Sequence, residues 1–99
     1  MKIQISSDIE KFISTLEKPT IAKIFRTVDL LEIFGNRLGM PHSKKVKGGI
    51  FELRIRGQQE VRILYTFQKR EIVLLHGFIK KSQKTPKREI KLAIKKLQN

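Results

Sequence analysis

With 99 residues, 39% of them hydrophobic, the chain can bury one modest core, so one domain over residues 1–99 is expected; with no cysteine and two histidines it offers no disulfide, no thiolate site and too few imidazoles for a metal cluster, so no metal or cofactor is expected. No apolar run reaches the ~18 residues of a membrane span, and Met1-Lys2-Ile3-Gln4 lacks the apolar stretch of a signal peptide, which points to a cytoplasmic protein with no membrane partner. The formal charge of +13 is uneven, six basic against five acidic side chains in residues 1–40 and sixteen against four in the rest, so the second half is a polycation suited to nucleic acid or an acidic protein.

Lys2 to Ile5 reads as a short strand. Ser7-Asp8-Ile9-Glu10 has the capping-box spacing of a helix start, and Ile9, Phe12, Ile13 and Leu16 follow at helical intervals. Pro19 opens a second helix with the stripe Ile21, Ile24, Phe25, Val28 and Leu31, and Gly35 is placed to end it. These apolar stripes carry no catalytic group and read as core. A loop from Asn36 to Lys47 holds Pro41, His42, Lys44, Lys45 and Lys47.

The period then becomes two: Phe51, Leu53 and Ile55 oppose Glu52, Arg54 and Arg56, and Val61, Ile63, Tyr65 and Phe67 oppose Arg62, Leu64 and Thr66. For the apolar sets to share a side, a loop Gly57-Gln58-Gln59 pairs Arg54 with Arg62, Leu53 with Ile63 and Phe51 with Tyr65. Two arginines directly opposite each other cost a fraction of a kcal/mol, so a fold alone has no need of them. With a following loop Gln68-Lys69-Arg70, Val73 and Leu75 point inward and His76 falls opposite Arg62. Arg54, Arg62 and His76 then form a row running toward Lys80 and Lys81, and Phe78 shares that polar face as a candidate base-stacking surface.

The strand Glu71 to Ile79 runs into Lys80, Lys81 and Lys84, after which Thr85 is placed as an N-cap and Pro86 as a first helical residue. Cations crowded beside a helix N-terminus suit a phosphate-bearing ligand. The last helix, Pro86 to Leu97, has Ile90, Ala93, Ile94 and Leu97 on one side and Lys87, Lys91 and Lys95 on another. The expected fold is α+β: two N-terminal helices packed on an antiparallel sheet, made of a three-stranded meander plus the short N-terminal strand, with a C-terminal helix.

Pro41 to Lys45, Phe51-Glu52-Leu53-Arg54, Val61-Arg62-Ile63-Leu64-Tyr65 and His76-Gly77-Phe78-Ile79-Lys80-Lys81-Ser82-Gln83-Lys84-Thr85-Pro86 together resemble the RelE/ParE superfamily of type II toxin-antitoxin toxins, in its HigB-like, phage Gp49-like branch. The resemblance covers nearly the whole chain and implies a ribosome-dependent endoribonuclease that cuts messenger RNA in the 30S decoding site. It also implies a cognate antitoxin, usually a helix-turn-helix protein. RelE-type toxins commonly place a tyrosine in the last segment, where this chain has Lys87 or Arg88.

Cutting RNA through its own 2′-hydroxyl needs a proton acceptor, cations for the phosphorane charge and a proton donor for the departing 5′-oxygen. Two positive charges about 6 Å apart at an effective dielectric near 20 repel by roughly 2.8 kcal/mol, enough to make a lysine a base. The expected catalytic set is Arg54 and Arg62 clamping the scissile phosphate, with Lys80 or Lys81 as base or transition-state cation. His76 or Tyr65 handles a proton in the same scheme, against structural readings of a hydrogen-bonded histidine and a core tyrosine whose hydroxyl reaches the sheet edge. Lys44, Lys45, Lys47, Lys84, Lys87 and Tyr65 are the expected RNA contacts, and Glu52 is expected to pair with Arg54 or a neighbour. Two other functions compete: a ParE-like inhibitor of DNA gyrase, which needs no phosphate clamp, and a non-catalytic nucleic-acid-binding module, which predicts exposed aromatics.

Overall fold

The computed structural model of the protein describes residues 1–81 and 83–98. Strand β1 (Lys2–Ile5) is followed by helices α1 (Ser7–Ser14) and α2 (Lys18–Phe34), then by β2 (Ser43–Lys47), β3 (Ile50–Ile55), β4 (Val61–Gln68), β5 (Glu71–Ile79) and α3 (Lys87–Gln98). The strands form one sheet in the order β1-β5-β4-β3-β2, antiparallel except where β1 lies parallel to β5. The α+β class is as expected, with one strand more: Ser43–Lys47, expected to be loop, is the edge strand β2 and turns into β3 through Gly48 and Gly49.

Helix α1 starts one residue earlier than the spacing predicts. Ser6 is the N-cap, its hydroxyl accepting the Ile9 N–H at 3.3 Å, and Asp8 and Glu10 sit in the first turn where the helix dipole favours them. Helix α2 has Pro19 in its first turn and stops at Gly35, whose φ of 56° closes the helix in the left-handed region that glycine enters without strain.

Alternation puts Leu53, Ile55, Val61, Ile63 and Tyr65 on one side of the sheet, where Ile9, Ile13, Ile24, Val28 and Leu31 of α1 and α2 cover them. Each fully buried Leu or Ile contributes about 1.5–3 kcal/mol, so this cluster supplies the main apolar stabilisation. Phe12 of α1 lies so close to β5 that a Cβ on Gly77 would come within 2.6 Å of its ring, which makes glycine a packing requirement there.

The β3–β4 register matches the expected one, Arg54 against Arg62 and Phe51 against Tyr65. The β4–β5 register does not. The turn holds two residues, Lys69 and Arg70, with φ of 47° and 67°, so Gln68 pairs with Glu71. This one-residue slip turns Ile72 and Leu74 toward α1 and α2. A bulge at Leu75 then brings His76 opposite Leu64 and Phe78 opposite Arg62.

Val73 and Leu75 therefore face the opposite side from the one predicted. They join Ile50, Leu64, Phe78 and Ala93 in a second apolar cluster beneath α3, with Ile90, Ile94 and Leu97 packed against it. Phe78 is buried there and is not a base-stacking surface. The sheet lies between α1 and α2 on one side and α3 on the other.

Candidate active site

On the α3 side, beyond the end of the second apolar cluster, the sheet carries a set of buried charges. Strand periodicity puts Glu52 and Arg54 of β3 on this face, and the register sets Arg62 of β4 beside Arg54. The Glu52 carboxylate, 1% exposed, lies between the two guanidinium groups: Arg54 Nε donates to Oε2 at 3.2 Å, and Arg62 Nε stands 3.6 Å from Oε1. Thr85, in the segment leading to α3, donates its hydroxyl to Oε1. Glu52 thus offsets the like-charge pairing that the alternation predicts.

Arg62 is held on its other side by Glu60, 3.3 Å from Nη1, and by the Val61 carbonyl at 3.0 Å, while its buried Nε makes no hydrogen bond among the described residues. Its side chain is 4% exposed and that of Arg54 11%, so Arg62 acts on the surface through its field and Arg54 reaches it directly. Of the two arginines expected to clamp a phosphate, Arg54 is the more accessible and Arg62 the more deeply buried.

Two clefts adjoin this ionic set. One, of about 310 Å³, has Lys44, Lys45, Arg54, Lys80 and Lys84 around Glu52, with Gln83 and Thr85 at its α3 end. The other, of about 350 Å³, has Arg56, Arg62, Lys80 and Lys81 against Glu60. Lys80 lines both. Its backbone N–H donates to the Glu60 carbonyl at 2.7 Å, which fixes the chain just past β5 over the arginines. Its pKa lies below the ordinary lysine value, first through burial and then through the cations Arg62, Arg54 and Arg56, with Glu52 pulling the other way.

The structure gathers Lys44, Lys45, Arg54, Arg62, Lys80, Lys81 and Lys84 about this surface. Lys47 and Lys87 are exposed but line neither cleft. His76 keeps the α3 face but lies two positions along β5 from the row predicted for it, opposite Leu64, where Nε2 lies 2.8 Å from Glu89 Oε1 and the ring stacks on Phe78. Tyr65 is 1% exposed, its hydroxyl bonded to Ser43 Oγ and its pKa raised by burial, an effect the Ser43 bond lessens; it is a core residue with no face to offer RNA. Ser82, between Lys81 and Gln83 of the same basic segment, lies outside the described residues.

Thr85 does not cap α3, which begins at Lys87 with the Pro86 carbonyl accepting the Glu89 and Ile90 N–H groups. Its place on Glu52 has no local sequence signal, since the two residues are 33 positions apart. Gln83, which lines both clefts, carries no such signal either. Among the described residues no group of three His, Cys, Asp or Glu side chains is arranged to hold a metal ion, and no helix is long and apolar enough to cross a membrane.

The fold and the site together define a small α+β protein with a basic cleft at one end of a sheet flanked by helices. Residues 11–98 match the model of the phage-derived protein Gp49-like family (DUF891), and the chain belongs to that family, a part of the RelE/ParE-like toxin superfamily. Such membership is compatible with the toxin of a toxin-antitoxin pair and suggests a cognate antitoxin as partner. No curated protein matches the chain.

Proposed function

We propose that the protein is the toxin of a type II toxin-antitoxin module, of the HigB-like branch, and an endoribonuclease that cuts messenger RNA in the 30S decoding site without a metal ion. The observation that carries this proposal is the position of Lys80, a lysine of reduced basicity between two clefts lined by cations and backed by the Arg54–Arg62 pair. In the reaction, a base takes the 2′-hydroxyl proton and the oxygen bonds to phosphorus. The P–O5′ bond then breaks, and the 5′-oxygen takes a proton to leave as a hydroxyl, with a 2′,3′-cyclic phosphate as the other product.

In this reading the unprotonated form of Lys80 accepts the first proton, and Arg54, with Lys44 and Lys84 across the cleft, bears the phosphorane charge. Arg62 holds Glu52 and keeps the local potential positive. Lys81, exposed in the neighbouring cleft, is the proposed phosphate contact on the far side of Lys80. Donation to the leaving oxygen is left to the ribosome-bound complex, which accords with cleavage that depends on translating ribosomes.

Inducible expression followed by primer-extension mapping tests the proposal. Wild type should arrest growth and leave in-frame cuts in translated messages, while Arg54→Ala, which keeps the Arg62–Glu52 pair, should lose both and still melt as a folded protein. DNA breaks with intact messages would identify a gyrase poison, and growth arrest undiminished in Arg54→Ala would remove the proposed phosphate contact.

A further inference from the structure

A third hollow, of about 320 Å³, opens on the α2 side of the sheet. Its floor is apolar, formed by Leu30 of α2, Pro41 and Ile55, and its rim carries Lys23, Arg26, Arg54 and Arg56 with no carboxylate among the lining residues. Lys23 is held in place, Nζ donating to the Arg56 carbonyl at 2.8 Å, whereas Arg26 is exposed. The hollow is not isolated: Arg54 lines both it and the cleft under α3, Arg56 lines both it and the Lys81 cleft, and Lys80 joins those two clefts. The three recesses therefore meet around the Arg54 to Arg56 end of β3 and share cations at each junction.

Single-stranded RNA alternates an anion with an apolar planar face at every residue, and this hollow offers the matching pair, guanidinium groups at the rim and a hydrocarbon floor. An acidic peptide would satisfy the rim as well, but the unbroken line of cations across Arg54 favours the strand that occupies the neighbouring cleft. We propose that the α2 hollow is a subsite for a nucleotide flanking the scissile position, its base on Leu30, Pro41 and Ile55 and its phosphate between Arg26 and Arg54. This inference rests on the ribonuclease reading above.

Fluorescence anisotropy with 2′-O-methyl oligonucleotides, which cannot be cut, tests it without requiring catalysis. A nine-nucleotide strand should bind wild type roughly tenfold or more tighter than a three-nucleotide strand, the order expected of one added stacked base and its phosphate. Arg26→Glu, an exposed substitution whose melting temperature should be unchanged, should bring the long strand close to the short one. It should also lower the slope of log affinity against log salt by about 0.7 for each phosphate that the variant no longer neutralises. A photoreactive 4-thiouridine beside the scissile position should crosslink to α2 or to the Pro41–His42 segment.

Equal binding of both lengths by wild type, or an Arg26→Glu variant that binds the long strand as well as wild type does, would overturn the subsite and leave the nuclease reading standing. Failure of wild type to bind either strand would likewise overturn the subsite, while the nuclease reading stands or falls on the in-frame cuts mapped in translated messages. An Arg26→Glu variant that loses an acidic peptide but keeps the long strand would make the hollow a protein-docking surface and overturn the proposal.

Discussion

Leu53 and Glu52 are neighbours on β3 and both are nearly inaccessible, at 0% and 1% exposure, yet they face opposite sides of the sheet and are held by opposite means. Leu53 is surrounded by aliphatic side chains of α1, α2 and the strands, none of which depends on a particular partner. Glu52 is held by Arg54, Arg62 and Thr85, and each buried charge is tolerable only while the others are present. The apolar side therefore supplies stability through summed area, and the ionic side supplies a fixed field at a cost in stability that the apolar side offsets. A basic cleft can then sit on the same sheet without a core built from charges.

Glu52→Ala should produce the largest effect, because in a nearly dry site it strips Arg54 of its carboxylate and leaves Arg62 with Glu60 alone. About 3–5 kcal/mol is expected, a large part of the ~5–15 kcal/mol that holds a small protein together. Urea unfolding measures it. Leu53→Ala should cost slightly less, about 2–4 kcal/mol, through the transfer energy of the deleted methyl groups and the cavity they leave behind. The contrast lies in activity: at a temperature where both variants are folded, Leu53→Ala should still arrest growth and Glu52→Ala should not. Equal activity of the two would break the distinction between the faces.

The apolar side was legible in the sequence because its residues report themselves by period. Ile9, Phe12, Ile13 and Leu16 repeat as a helix, and Phe51, Leu53 and Ile55 as a strand facing Val61, Ile63 and Tyr65, so the β3–β4 register and the Arg54–Arg62 pairing followed from burial alone. The β4–β5 register did not follow, because its turn uses Lys69 and Arg70 at positive φ, where glycine or asparagine would have marked it, and because the bulge at Leu75 has no sequence marker. His76 and Phe78 were misplaced as a result. Strand β2 was missed because Ser43 to Lys47 carries three lysines, residues that suit an exposed sheet edge but do not announce a strand.

At the site, the cations were legible as composition and their counter-charges only in part. Glu52 was expected to pair with an arginine, but its bridging of two arginines and its bond to Thr85 depend on β3, β4 and the segment before α3 meeting at one point. That convergence is tertiary and leaves no local trace.

The smallest expected effect is the most specific to the ionic face. Partial burial and the cations Arg62, Arg54 and Arg56 lower the pKa of Lys80 below the ordinary 10.5, with Glu52 in opposition. In the pH window between that lowered value and 10.5, the unfolded chain binds more protons at this lysine than the folded one does. Stability should therefore rise with pH across the window and level off above it. The gain should be slight, since Lys80 keeps contact with water. A direct measurement is the 13C shift of the Lys80 side chain followed through a titration, which should show a midpoint below 10.5. Arg56→Gln removes one exposed cation and should move the midpoint up, and if neutral Lys80 is the base, the cleavage rate should rise with pH through the same midpoint in each protein. A Lys80 that titrates at or above the ordinary lysine value would mean that the buried arginines exert no field at the cleft, and the ionic face would then be structural in the same sense as the apolar one.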